Sequence, residues 1–170
     1  ARLNYWSTNI LRWFDSEAGS DHLDSSSRSF NWVRVLPFIA LHLACLLAFF
    51  TGVSTFAVVF AAAFFIIRMF AITGFYHRYF SHKTFKTSRA AQFVFAVLGA
   101  SSAQRGPLWW AAHHRHHHQH SDNAEDLHSP HHGGFWWSHA GWFTCDAGFS
   151  MDERRVRDWL KFPELKFINR

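Results

Sequence analysis

Cysteine is scarce in this sequence. Cys45 lies in an apolar run and Cys145 in a distant polar half, neither in a CxxC or CxxH context, so neither a disulfide framework nor a cysteine-held zinc is expected. Internal repeats are missing too, which sets aside solenoids and propellers. Nor do basic and aromatic residues alternate along a candidate recognition helix or strand. The formal charge of +5 and pI near 9.7 therefore point to a membrane surface or an acidic substrate, with no nucleic acid expected as partner. The first ten residues, ARLNYWSTNI, carry no initiator Met and no basic start followed by an apolar core. No signal peptide is read there, and the sequence is expected to be part of a longer protein.

What the chain has in quantity is aromatic residues, 19% of its 170, bunched without a period, so that a mean hydropathy of −0.10 averages a greasy block with two polar ones. Residues 1–30 read as a polar N-terminal segment, with DSEAGSDHLDSSSRS as loop. Then VRVLPFIALHLACLLAFF runs from Val33 to Phe50, TGVS supplies turn residues, and TFAVVFAAAFFIIRMFAITGFY runs to Tyr76. At ~1.5 Å per residue each run is close to the ~30 Å hydrocarbon thickness, and neither has the polar face that a small soluble domain needs. Residues 31–76 are thus expected to form a transmembrane hairpin.

Arg12, Arg28 and Arg34 precede the first span, Arg78, Lys83, Lys86 and Arg89 follow the second, and the connection at 51–54 has no charge. Both flanks are expected on the cytoplasmic side of a multi-pass membrane protein. Arg68, near that end of the second span, can snorkel, and His42 reads as a bonded helix histidine, not a ligand. The shorter apolar stretch 90–104 is expected in the interface, and Trp136, Trp137 and Trp142 as headgroup-level anchors. In SMDERRVRDWLKF, Ser150 reads as a helix N-cap. The fold class expected is all-α, an integral membrane helical protein, with residues 77–170 an interfacial and cytosolic catalytic cap.

The chemistry concentrates in two histidine clusters. In WWAAHHRHHHQHSD, His114, His117 and His118 stand at i, i+3 and i+4 and would share one helical face. His113, His116 and His117 satisfy the same HxxHH spacing, so spacing leaves the register open. Three neutral imidazoles suit iron, zinc or copper better than magnesium or calcium. The run is internal and broken by Arg115 and Gln119, unlike a purification tag. In GFYHRYFSHKTF, His77 and His82 are five apart, about 140° around an ideal helix. A bend, or ligation of two different ions, is expected there, and either fits a dinuclear site.

GFYHRYFSH and HRHHHQHSD, followed by DLHSPHHGGFWWSHAGWF, resemble the membrane fatty acyl desaturases of the acyl-CoA delta-9 (stearoyl-CoA desaturase-like) type. Their first two boxes read HRxxSH and HRxHH and are followed by DPH and SHxGW. The similarity covers roughly residues 31–145 and settles the register, because the family's Asp after HRxHH falls on Asp122. The resemblance implies two iron ions that activate O2 and remove two hydrogens from a saturated acyl chain to leave a cis double bond. His77, His82, His114, His117 and His118 match iron ligands, with His113 and His116 as extras. Asp122, Asp126, His128 and His139 are candidates to orient ligand rings. Gln104 and Trp110 fall where the acyl tunnel bends, and Arg115 where the acyl carrier headgroup is met.

The resemblance also implies a long-chain acyl substrate, with acyl-CoA first among the carriers, surrounding membrane lipid, and an electron donor such as cytochrome b5, ferredoxin or rubredoxin with its reductase. The family's DPH reads DLH at 126–128, and His131 and His132 replace the basic pair that follows. A second hairpin and a third HxxHH box are expected beyond Arg170. Two other readings use the same residues: a membrane diiron hydroxylase acting on a lipid or alkane, and, in another class, a membrane metal-binding or transport protein.

Overall fold

The computed structural model describes residues 5–15 and 27–170. In chain order the elements are α1 (Tyr5–Phe14), α2 (Trp32–Cys45), α3 (Ala48–Thr51) and α4 (Thr55–Phe70), which runs straight into a π-helix at Ala71–Ser81. Then come α5 (Arg89–Ala100), α6 (Pro107–His120), α7 (Pro130–Trp136), a π turn at Trp137–Gly141 and a 3-10 turn at Trp142–Thr144. Next are α8 (Asp146–Phe149), a 3-10 turn at Glu153–Val156 and α9 (Pro163–Asn169). Among the described residues the fold is all-helical, apart from one isolated antiparallel bridge between Phe30 and Cys145. The chain divides into two compact units, Ala1–Gly52 with His120–Ser150, and Val53–Gln119 with Met151–Arg170.

In the first unit, α1 stands within the polar N-terminal segment, ahead of the stretch expected as loop. It is ten residues long, and the Trp13 indole N–H donates to the Val33 carbonyl at 2.7 Å. Residues 16–26 of the expected loop lie outside the described residues. Asn31 begins α2 by accepting the Arg34 N–H at 3.2 Å. His42 sits with Nδ1 2.8 Å from the Phe38 carbonyl one turn back, the local bonding expected of it. The segment ends at Gly52, whose φ of 74° closes the helix in a conformation that suits glycine.

In the second unit, Ser54 caps α4 by accepting the Ala57 N–H at 3.1 Å. Trp32–Thr51 (20 residues) and Thr55–Ser81 (27 residues) are each long and apolar enough to cross a membrane. Their side chains are largely uncovered by protein, with Phe49 85% and Phe56 77% exposed. The buried core of this unit lies beyond the apolar helix, where Tyr76 and Phe80 of the π-helix pack with Leu108 of α6, with Leu165 of α9 and with Trp159 from the segment before α9. Burial of an aromatic side chain of this size contributes about 1.5–3 kcal/mol.

The expected N-cap at Ser150 is not formed. Asp152 caps instead, accepting the Arg154 N–H at 3.1 Å, and the helix it starts is a single 3-10 turn. Ser150 turns its hydroxyl back to the Ala147 carbonyl at 2.9 Å. Both residues are good caps, and the backbone leaves helical geometry at Asp152. Near the chain end α9 reaches α6, where the Asn169 side-chain oxygen accepts the Trp109 N–H at 2.8 Å. One of the donors left open at the start of α6 is thereby satisfied by a residue 60 positions away.

Candidate metal centre

The five-residue spacing of His77 and His82 is resolved by the π-helix. In an α-helix five residues advance 500°, leaving the two rings on different faces. In a π-helix the hydrogen bond runs from residue i+5 back to i, so those two residues stack one turn apart. The His82 N–H donates to the His77 carbonyl at 3.1 Å, and the Ser81 hydroxyl to the Tyr76 carbonyl at 2.9 Å. The rings meet with their Nε2 atoms 3.1 Å apart. Neither the expected bend nor a second ion is needed to bring this pair together.

From α6, His114 and His118 present one face at the ordinary i, i+4 spacing, their Nε2 atoms 3.0 Å apart, and His114 Nε2 is 3.1 Å from that of His82. His77, His82, His114 and His118 each offer one nitrogen, all within 4.8 Å of one another. His77 and His114 are half-buried, while His82 and His118 are exposed.

This arrangement fits a cation better than a hydrogen-bonded set. Each Nε2 carries either one proton or one lone pair, directed in the ring plane. His82 and His114 would each have to serve two neighbours with that single site. Four lone pairs aimed at one cation remove the conflict. With a metal–nitrogen bond of ~2.1 Å, adjacent corners of an octahedron lie about 3.0 Å apart and those of a tetrahedron about 3.4 Å. The contacts of 3.0 and 3.1 Å match the octahedral edges, and four ligands then leave two positions open.

Electrostatics supports ligation. Burial, then the neighbouring His77, His118, His82 and His117, push the His114 pKa down from 6.5 to about 3, and burial likewise lowers that of His82. The lowered values favour neutral rings at His114 and His82, the form in which imidazole binds metal.

His117 stands apart, its ring centre 6.3 Å from that of His114, so the HxxHH box contributes two of its three histidines to the cluster. His113 stacks on Trp109 at 4.6 Å. Trp110 lies flat on the His114 ring at 4.7 Å, and its indole N–H donates to the Gln104 amide oxygen at 3.1 Å. Gln104 and Trp110 therefore form one hydrogen-bonded pair beside the cluster.

Arg115, expected where the acyl carrier headgroup is met, is bonded within the protein in this structure. Its guanidinium donates to the carbonyls of Ser81 (2.9 Å), Phe80 (2.7 Å) and Arg155 (2.6 Å), and to both Asp158 oxygens (2.9 and 3.1 Å). All five of its donors are engaged within the protein. Burial raises the Asp158 pKa, but hydrogen bonds and charge from Arg115 and Lys83 outweigh it and hold the carboxyl below its ordinary value.

The candidates for ring orientation lie in the first unit. Asp126, 3% exposed, accepts the backbone N–H groups of Asp122 and His128 at 3.2 Å each. Asp122, at φ 61°, accepts the Ser129 hydroxyl at 3.3 Å. His128 packs on Trp142 at 5.0 Å, and His139 stacks on Phe135 at 5.6 Å. Sequence reasoning missed Asp158, Trp159 and Asn169, the residues that brace the two histidine helices, and no local motif marks them.

Searches of curated proteins return desaturases. The chain is 33% identical over 149 residues to an sn-1 stearoyl-lipid 9-desaturase of Anabaena variabilis, covering 86% of this chain and 54% of that protein. An acyl-CoA 5-desaturase of Anemone leveillei is 31% identical over 76% of the chain and 41% of its own length. A delta-9 acyl-lipid desaturase of Arabidopsis thaliana is 34% identical over 81% and 46%. The chain belongs to the fatty acyl desaturase family. It spans about half the length of the curated desaturases it matches. No protein-family model and no solved structure matches it. Both acyl-lipid and acyl-CoA desaturases stand among these relatives, so membership in the family leaves the acyl carrier open.

Proposed function

We propose that this chain carries the first two histidine boxes of an O2-dependent fatty acyl desaturase, which inserts a cis double bond into a saturated acyl chain at a histidine-ligated diiron centre. The observation that carries this reading is the convergence of His77, His82, His114 and His118 at octahedral spacing in a desaturase relative. These four would hold one iron, and His117, displaced from them on α6, would serve the second with further ligands. When bound, the irons supply the redox capacity to activate O2 with electrons from a donor such as cytochrome b5, ferredoxin or rubredoxin and its reductase. The balance is simple: two hydrogens leave the acyl chain and, with two electrons and two protons, O2 becomes two waters.

The protein's own residues do the positioning. The exposed apolar lengths of Trp32–Thr51 and Thr55–Ser81 would lie in lipid, and the histidine boxes would face the cytoplasm, a side supported by the cationic flanks at Arg78, Lys83, Lys86 and Arg89. The π-helix is the continuation of the second apolar helix, so the cluster would sit where a lipid-borne acyl chain leaves the bilayer. The Gln104–Trp110 pair, lying on His114, would form part of the wall that sets which methylene pair faces the irons. Asp122, Asp126, His128 and His139 are the candidates that the family resemblance offers for orienting ligand rings.

The test is product mass with the membrane-bound protein, an electron donor, O2 and a stearoyl substrate offered both as CoA ester and as lipid. Loss of two hydrogens is expected. Gain of one oxygen atom would make the protein a hydroxylase, and stoichiometric zinc without iron, from cells supplied with both, would favour metal transport.

A further inference from the structure

We propose that Arg115, locked by Asp158, is the positioning residue that sets the His77/His82 pair against the His114/His118 pair, an inference that rests on the metal-centre reading. Arg115 directly follows His114 on α6, and Ser81, whose carbonyl it holds at 2.9 Å, directly precedes His82 on the π-helix. One guanidinium thus joins the backbones next to a ligand from each box. Phe80 and Ser81 lie in the last turn of the π-helix, where carbonyls have no onward helical partner. Arg115 caps both, and the Trp159 indole N–H adds a second bond to the Phe80 carbonyl at 2.8 Å.

Asp158 makes the arrangement specific. It grips the guanidinium through both oxygens, fixing the plane of the fork, and Lys83 joins it at 3.1 Å just past the π-helix. With the side chains of Arg115 and Asp158 only 20% and 28% exposed, the pair is partly shielded from solvent. A lysine at 115 would keep a charge for Asp158, but a point charge cannot hold two carbonyls and a carboxylate in one plane. Nε2 contacts of 3.0–3.1 Å leave little slack for the π-helix to shift against α6. The clamp is one layer behind the ligands, where it governs their separation without touching the cation.

The experiment is a Co2+ titration of this chain in detergent micelles, followed by visible absorption, with far-UV circular dichroism and melting measured without metal. Wild type is expected to give the weak bands of octahedral cobalt. Arg115→Lys and Asp158→Asn are expected to keep the helical signal yet bind Co2+ about 10–100-fold more weakly, with shifted bands. Asp158→Glu, which retains both oxygens, is expected to recover most of the affinity. Leu165→Ala, a core truncation in α9, lowers melting and serves as the comparison for plain destabilisation; it should leave the cobalt spectrum unchanged. If Arg115→Lys fails to fold, Asp158→Asn decides alone. Wild-type affinity and spectrum in Asp158→Asn would overturn the clamp while leaving the metal centre intact. Absence of Co2+ binding by wild type would overturn both.

Discussion

Gly99 in α5 offers the most direct test of how the first histidine box is seated. A Cβ built on Gly99 would stand 2.0, 2.3 and 2.6 Å from the Cε1, Cδ1 and Cζ atoms of Tyr76, whereas ordinary contact begins near 3.4 Å. The ring would have to retreat by 3.4 − 2.0 = 1.4 Å. It has no room to do so: Tyr76 is 0% exposed, and its hydroxyl donates to the Arg105 carbonyl at 3.1 Å, with the Ala96 carbonyl at 3.4 Å. Gly99→Ala therefore forces α5 away from the π-helix, an overpacking that costs about 1–3 kcal/mol. For a chain of this length each kcal/mol moves the midpoint by roughly 2–4 °C, so melting should fall by about 2–12 °C. Because Tyr76 directly precedes His77, Co2+ affinity should fall as well. The assay is near-ultraviolet circular dichroism against temperature in micelles, for Gly99→Ala, Tyr76→Leu and the double variant. Removing the ring should relieve the clash, giving a favourable coupling of about 0.5–3 kcal/mol. A Gly99→Ala protein melting with wild type, or a strictly additive double variant, would refute this packing.

Metal binding should dissect the histidine run: His116→Ala and His113→Ala are expected to retain bound iron, His114→Ala to lose the four-nitrogen site, and His117→Ala to retain one equivalent at most, all read by metal analysis. The metal-free chain should be acid-sensitive. His114 has a folded pKa of about 3 against 6.5 unfolded, so the unfolded chain takes up its proton first; the stability is present above 6.5 and is lost as pH falls toward 3. Urea midpoints at neutral and mildly acid pH check this, and His114→Gln should flatten the dependence. At the start of α6, Asn169→Ala should cost about 0.5–2 kcal/mol through loss of the bond to the Trp109 N–H, and Asn169→Asp should retain most of it; chemical denaturation separates the two.

The parts legible in the sequence were those encoded locally. Two long apolar runs announce two long helices, and HRxxSH with HRxHH announces a histidine site, because each signal lies within a few residues. The π-helix was hidden, since AITGFYHRYFS has no composition that separates it from α-helix. Its geometry is held from outside by residues of α6 and of the segment after the 3-10 turn. The bonding of Arg115 was hidden for the same reason. A cation between two ligands looks free for a headgroup until Asp158, 43 residues away, is seen gripping it. The cap at Asp152 was missed for another reason, competition between adjacent caps.

The charge distribution leaves the candidate cluster to imidazoles alone. No Asp or Glu occurs between Asp24 and Asp122, so neither histidine helix brings a carboxylate to the cluster. Of the acidic residues in the same unit, Asp158 is matched by Arg115 and Lys83, Asp152 by Arg154, and Glu164 by Arg89. The cluster would therefore attract a cation through lone pairs held at the right separation, not through nearby carboxylates. Such a site depends on rigidity more than a carboxylate-rich one does, because a neutral donor displaced from its line loses the bond with little long-range attraction left to compensate. A π-turn stacking His77 on His82, an i, i+4 pair on α6 and a guanidinium tying the two backbones supply that rigidity.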